Sequence, residues 1–484
     1  MVPTRTGRIG SLAVEQTTDS GLGLSTTKSL KDNDLLITVP TSTSLSVECP
    51  GDGPDHYDCF KLLQDRSVLR NSPWYAQFSV YLHMLDKVSS VRKGLDMRPW
   101  LETLPRSFST PIHWESTDEL QYQYLQDSVV WQKQQWKAQY TALQDAATSD
   151  LAKMSWEDFV WGCECARSRV FSGAFTGSAF NPAVYVFTLA LVAAYVGLGM
   201  GSIEDAANGA AVVVCGTILK DFVVPKLFKT KRYVICPVID MANHRSTLQQ
   251  GDVSFEFFGD AYSLAATQAV NQGSELFISY GPRSNDQLLQ FYGFVEPNNP
   301  HDVYIMPPLR EWDIAAIEQA CERTIAPGRL QKLDRAGLLG STFDRDSVGE
   351  GVDAGNTDDV ANAAGGVVVT RAGGIDPAVI QALRALISSD EEWTDAGEAV
   401  GNFATENSGG IQNERLARLA AKTAMRMELD SKPTTAAEDE KLLKQMRAGS
   451  SSASLDYSED DELAVMFRLE KKKLLQETID KIIV

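Results

Sequence analysis

A pair of tyrosines, Tyr280 and Tyr292, offers the clearest chemical opportunity in the chain. Tyr280 closes a strand-like run, Glu275-Leu276-Phe277-Ile278-Ser279-Tyr280, which breaks at the turn signal Gly281-Pro282. The chain then becomes helical. Ser284 and Asn285 are N-cap types, Leu288, Leu289 and Tyr292 share one face, and Gly293 stands where a C′ glycine ends a helix. A tyrosine at a strand end, with a second on the short helix that follows, can line a narrow slot from two sides. Such a slot aligns reactants and excludes water. Composition alone reads both rings as core aromatics.

Other polar clusters stand at fixed places upstream. The run Pro237–His244 ends an apolar strand in Asp240, Asn243 and His244. Arg167, Ser168, Arg169, Val170 and Phe171 close a helix whose start carries the capping-box pattern Ser155-x-x-Asp158. Near the N-terminus, Ser20-Gly21-Leu22-Gly23-Leu24 reads as a turn between strands at 7–14 and 34–40, and its glycines let main-chain groups approach a ligand. A plain hairpin is the alternative at that place.

Taken in order, Gly-Leu-Gly, Ser-Arg-x-Phe, Asp-x-x-Asn-His and Tyr-Gly…Tyr-Gly-Phe-x-Glu resemble the SET-domain methyltransferases of the Rubisco large-subunit lysine methyltransferase class. The resemblance implies an α+β fold: small β-sheets with a helical insert, followed by an all-α C-terminal domain. It implies S-adenosylmethionine as cofactor, held by Ser20, Gly21, Leu22, Gly23, Ser168, Arg169, Asp240, Asn243, His244 and Tyr280. Tyr280 and Tyr292 become the catalytic pair, with Tyr280 orienting an amine and Tyr292 lining the channel. The family often carries Glu where Ser20 stands. The implied reaction is methylation of a lysine on a non-histone protein. Histidine is the acceptor in one branch of the class, and a catalytically silent scaffold, free or membrane-associated, is the competing reading.

Length and composition agree with a globular enzyme of more than one domain. The chain has 484 residues, is 43% hydrophobic and carries a formal charge of −19. So acidic a chain cannot neutralise many phosphates, which argues against nucleic acid as a partner. Seven scattered cysteines contain no Cys-x-x-Cys pair, so neither a disulfide framework nor a zinc site is expected, and a reducing intracellular compartment, cytoplasm or chloroplast, fits best. A protein substrate and a monomeric state are the remaining expectations.

The expected organisation is a SET domain over about 1–310, with its helical insert at about 71–170, and a helical substrate-binding domain over about 311–484. A Gly/Asp/Ala-rich stretch at about 340–376 reads as a disordered insertion. Residues 172–230 are an apolar addition. From Val170 to Ile203 no residue is charged, and Ala183–Met200 qualifies in length as a membrane-span candidate. Two readings stay open for 181–225: a pair of buried helices, or a hydrophobic hairpin at a membrane with the basic flank Lys226, Lys229, Lys231 and Arg232 at the lipid surface.

Overall fold

The computed structural model describes residues 7–17, 21–49, 66–87, 97–114, 125–148, 153–174, 182–200, 202–218, 231–256, 261–339, 366–406, 408–449 and 457–484. They form an α+β protein of two compact units, Met1–Ser107 with Trp136–Ser279, and Phe108–Gln135 with Tyr280–Val484. The division therefore falls between Ser279 and Tyr280, ahead of the expected domain limit near 310.

In the first unit, strands β1 (Gly7–Ile9), β2 (Leu12–Thr17) and β3 (Gly21–Thr26) form an antiparallel meander. Gly21-Leu22-Gly23 thus opens a strand and does not form the turn expected of it; Gly21 lies opposite Thr17 with φ +74°, a value glycine adopts freely. Ser20 lies outside the described residues. A second sheet joins β4 (Leu35–Pro40), β8 (Asn243–His244), β9 (Gly251–Glu256), β10 (Ala261–Ala266) and β11 (Phe277–Ile278) in the order β4-β10-β9-β11-β8. Only Phe277 and Ile278 of the expected 275–280 strand pair regularly, running parallel to Asn243 and His244. A third sheet sets β7 (Lys231–Ile235) between β5 (Leu45–Cys49) and β6 (Phe171–Ala174).

Two inserted helices of this unit, Trp74–Lys87 and Trp156–Arg169, pack closely. Gly162 makes the approach possible, since a Cβ there would lie 2.5 Å from Ser79 Oγ. The Ser155 capping box is present, with Asp158 N–H donating to Ser155 Oγ at 3.0 Å. Trp74 stacks on Tyr233 at 4.8 Å, seating the helix on the third sheet.

Between β6 and β7 the chain leaves as two helices, Pro182–Gly197 and Ile203–Ile218, of 16 residues each. The membrane-span candidate therefore ends short of its expected limit, and among the described residues no helix is long and apolar enough to cross a membrane. Nor are these helices buried: Phe187, Leu189 and Val212 are exposed.

The second unit is mainly helical but not all-α. Strands β12 (Val303–Met306), β13 (Val367–Thr370) and β14 (Gly374–Ile375) form a three-stranded sheet within it. The expected disordered insertion is thus partly overturned, because its end from 366 is a strand hairpin; residues 340–365 lie outside the described residues. Val367 and Val369 are fully buried and pack with Leu383, Leu386, Ala417, Met425, Leu474 and Leu475 from the surrounding helices. Hydrophobicity that dense explains why the segment is ordered despite its glycine-rich approach. A smaller cluster joins Trp114, Leu125 and Val129 to Leu289 on the helix Asn285–Tyr292 and to Phe467 on the helix Glu459–Lys481. Truncating a buried Phe such as Phe467 to Ala costs about 3–5 kcal/mol.

Candidate active site

In the first unit the main chain of β3 is tied to the segment leading into β11. Thr26 N–H donates to Ser274 O at 3.0 Å, and Leu276 N–H donates to Leu24 O at 2.8 Å. This brings Glu275 beside Asn243, whose Nδ2 donates to Glu275 Oε1 at 2.7 Å and to Leu22 O at 3.4 Å. The glycine-flanked strand and the Asn-His strand therefore meet at Asn243. Glu275 is a member of this cluster that sequence reasoning missed. Its alternation with buried Leu276 was the available signal, and it could not name the partner.

A second cluster centres on Asp240. The residue lies in a tight helical turn, Ile239–Met241, preceded by Val238 at φ +80°, an outlier for a β-branched side chain. The Asp240 carboxylate is buried and accepts from Trp100 Nε1 at 3.2 Å and from Arg169 Nη1 at 3.1 Å. The same Nη1 donates to the Asp240 carbonyl at 3.0 Å. Burial pushes the carboxyl above the usual Asp range, while Arg169 and Trp100 pull against that shift. Trp100 is fully buried and supplies a donor to this carboxylate.

The remaining candidates of this unit are placed less directly. Ser168 Oγ donates to Glu164 O at 2.7 Å, so this hydroxyl is committed to its own helix. His244 is buried, with Nε2 at 3.0 Å from Ser246 Oγ. Among the described residues no group of His, Cys, Asp and Glu could hold a metal ion. Burial raises the thiols of Cys163, Cys165 and Cys236 above the ordinary cysteine value, which leaves them inert as nucleophiles.

In the second unit Tyr280 and Tyr292 stack, with ring centroids 5.0 Å apart and planes 25° from parallel. Both are half-buried. Gly281 at φ +92° turns the chain between them, and Arg283 Nε donates back to Tyr280 O at 3.1 Å. The helix Asn285–Tyr292 starts with Ser284 N–H donating to Gln287 Oε1 at 3.3 Å and ends at Gly293 in the left-handed region. A side chain at 293 would meet the Ser109 backbone at 3.4 Å, so glycine serves both the cap and the close approach.

The start of that helix is anchored by charge. Lys471 Nζ, fully buried, donates to Asp286 Oδ2 at 2.5 Å, to Asp302 Oδ1 at 2.7 Å and to Val303 O at 2.6 Å. Asp302 in turn accepts from Asn285 N–H at 3.0 Å and from Asn285 Nδ2 at 2.9 Å. All three ammonium donors are satisfied. Burial lowers the Lys471 pKa, and the two carboxylates more than offset it, leaving it raised.

The sheets and the order of the motifs define a SET-fold protein. Solved structures of Rubisco LSMT are similar to it in fold. The SET domain of LSMT bound to lysine and AdoHcy superposes with a TM-score of 0.56 over 98% of this chain and 87% of that one, at 19% identity. Rubisco LSMT bound to AdoMet gives a TM-score of 0.54 over 97% and 86%, also at 19% identity. By sequence, the chain is 23% identical over 238 residues to the ribosomal lysine N-methyltransferase set10 of Schizosaccharomyces pombe, covering 46% of this chain and 34% of that protein. It is 31% identical over 111 residues to human N-lysine methyltransferase SETD6, covering 22% and 23%. It is 41% identical over 80 residues to the actin-histidine N-methyltransferase of Drosophila melanogaster, covering 16% and 13%. These matches span about a third or less of the curated relatives' own length. No protein-family model matches the chain.

Proposed function

We propose that the chain is an S-adenosylmethionine-dependent protein methyltransferase whose acceptor is a lysine ε-nitrogen on a non-histone protein. The observation that carries the reading is the junction at Asn243, where the amide joins the Leu22 carbonyl to Glu275. It gathers two motifs of the SET class into one polar cluster, and SET-fold relatives named as lysine methyltransferases support it.

The residues fit such a cofactor. A would-be Cβ at Gly21 meets nothing within 4 Å, so the side-chain side of this position is open. Among the described residues Arg169 Nε is buried with no hydrogen-bond partner, a cationic donor suited to a carboxylate. When bound, S-adenosylmethionine supplies an electrophilic methyl group on a sulfonium. On this reading the Gly21–Gly23 main chain, Asn243 and His244 hold the nucleoside and tail, Arg169 braced by Asp240 takes the carboxylate, and Ser20 and Ser168 contribute main-chain contacts.

The acceptor amine must reach the slot unprotonated. A free lysine has a pKa of about 10.4, and desolvation lowers it. The stacked rings of Tyr280 and Tyr292 would exclude water and align the nitrogen, and the Tyr280 hydroxyl would orient its lone pair. The helical region 311–484 is the proposed surface for the substrate protein.

A second reading, favoured by the match to the Drosophila actin-histidine methyltransferase, replaces the amine with an imidazole nitrogen. Incubation with methyl-labelled S-adenosylmethionine and a protein extract, followed by hydrolysis to amino acids, tests both. Methyl-lysine supports the proposal, methyl-histidine moves the acceptor to imidazole, and absence of label in protein overturns both.

A further inference from the structure

The two helices inserted between β6 and β7 carry an apolar surface that the catalytic reading does not use. Among the described side chains of Pro182–Gly197, Thr188, Val192, Tyr195 and Val196 are half-buried, a single stripe at helical spacing, and the helix packs against Ile203–Ile218. Every other described side chain from Val186 to Met200 is exposed, including Val186 at 67%, Phe187 at 64%, Leu189 at 75% and Leu191 at 54%. At about 100° per residue these exposed positions span an arc of about 200°, roughly twice the apolar stripe of a helix that packs on a core.

We propose that this hairpin is a lipid-docking element, which seats the protein on the surface of a bilayer bearing anionic headgroups. The width of the arc selects the occupant. A folded partner or a second copy of the chain covers one face of a helix, whereas acyl chains close around most of its circumference. The length fixes the mode. Sixteen residues rise about 24 Å, short of the hydrocarbon thickness of about 30 Å, so the hairpin lies in one leaflet and does not span. At its tip Ser202 N–H and Oγ donate to Asp205 Oδ2 at 3.2 and 2.6 Å, and Glu204 lies beside it, so the tip belongs in the headgroup layer.

Charge in the sequence agrees. Residues 219–230, which lie outside the described residues, carry Lys220, Lys226 and Lys229 against the one acid Asp221, and Lys231 and Arg232 open β7, in a chain whose formal charge is −19 overall. Basic residues beside an apolar element complement anionic lipid. The acidic remainder is repelled by the same surface, which confines contact to this one element.

Flotation of the purified full chain with vesicles of phosphatidylcholine, alone or with phosphatidylserine, tests the proposal. The chain is expected to float with vesicles, more strongly with phosphatidylserine and less in high salt. The double variant Phe187→Glu/Leu191→Glu is expected to lower the floated fraction by about tenfold. Its circular dichroism spectrum and melting temperature should stay at the parent values, because neither side chain is buried. Three results would overturn the proposal: a parent chain that stays at the bottom with both vesicle types, a double variant that floats equally well, or a lipid-free dimer of the parent that the double variant abolishes without any vesicle binding.

Discussion

Asn243 and Leu22 stand 221 positions apart in the chain, yet the Asn243 amide donates to the Leu22 carbonyl at 3.4 Å. Its shorter bond, 2.7 Å to Glu275, fixes which way that amide faces. Glu275→Ala should therefore free the amide and weaken S-adenosylhomocysteine binding. Loss of a hydrogen bond to a charged group amounts to about 1.5–3 kcal/mol, or roughly 10- to 100-fold in affinity. Calorimetry on the variant checks this, and unchanged affinity would remove Glu275 from the binding cluster.

Tyr280→Phe keeps the ring that stacks on Tyr292 and removes the hydroxyl. Turnover should fall by about a hundredfold or more, the scale seen when one well-placed transition-state hydrogen bond is lost. Cofactor affinity should stay near the parent value. Equal turnover would take the catalytic role from this hydroxyl.

Trp100→Phe removes a donor to the buried Asp240 carboxylate at little change in shape. Burial raises the Asp240 pKa above 3.8, so the folded state favours the proton; that contribution is full below the unfolded value and is lost as pH rises through the folded one. Without the indole donor the ionised form is less favoured still. The variant should be less stable by about 1–3 kcal/mol at neutral pH, and by less at acid pH where the carboxyl takes up its proton, in urea unfolding. An equal loss at both pH values would argue that the indole contributes only packing.

Lys471→Met strands two buried carboxylates at the start of the Tyr292-bearing helix. Breaking a buried charge cluster from one side costs about 3–5 kcal/mol. The folded Lys471 pKa is raised above 10.5, so its contribution is fully present below that value and is lost only as pH climbs through the folded one. Denaturation of parent and variant should thus differ by the same amount throughout neutral pH. A gap that closes within the neutral range would contradict the ion-triplet account.

Local signals were the ones the sequence revealed well. The capping box at Ser155 is formed, because such a motif is closed by residues three apart and needs nothing distant. The motifs from Gly21 to Glu296 pointed to the fold by their order, and Gly21 and Gly293, at φ +74° and +75°, stand where the backbone favours glycine. Long-range polar partners were not legible. Nothing near Trp100 says that its indole meets Asp240, since helix packing decides that. On the helix Glu459–Lys481 the charged residues Glu470, Lys471 and Lys472 are buried, which nothing in the local sequence signals. Only the register of that helix against Asp286, Asp302 and Asp439 determines which lysine finds which carboxylate. The apolar addition was legible as helices, but not their exposure, which depends on what the rest of the fold leaves uncovered.

The central claim is that the cluster around Leu22, Arg169, Asp240 and Asn243 holds S-adenosylmethionine. Calorimetric titration of the purified full chain with S-adenosylhomocysteine tests it most directly. The account predicts saturable binding at one site with a dissociation constant on the order of micromolar. Absence of binding by a folded chain would contradict it and return the molecule to the scaffold reading.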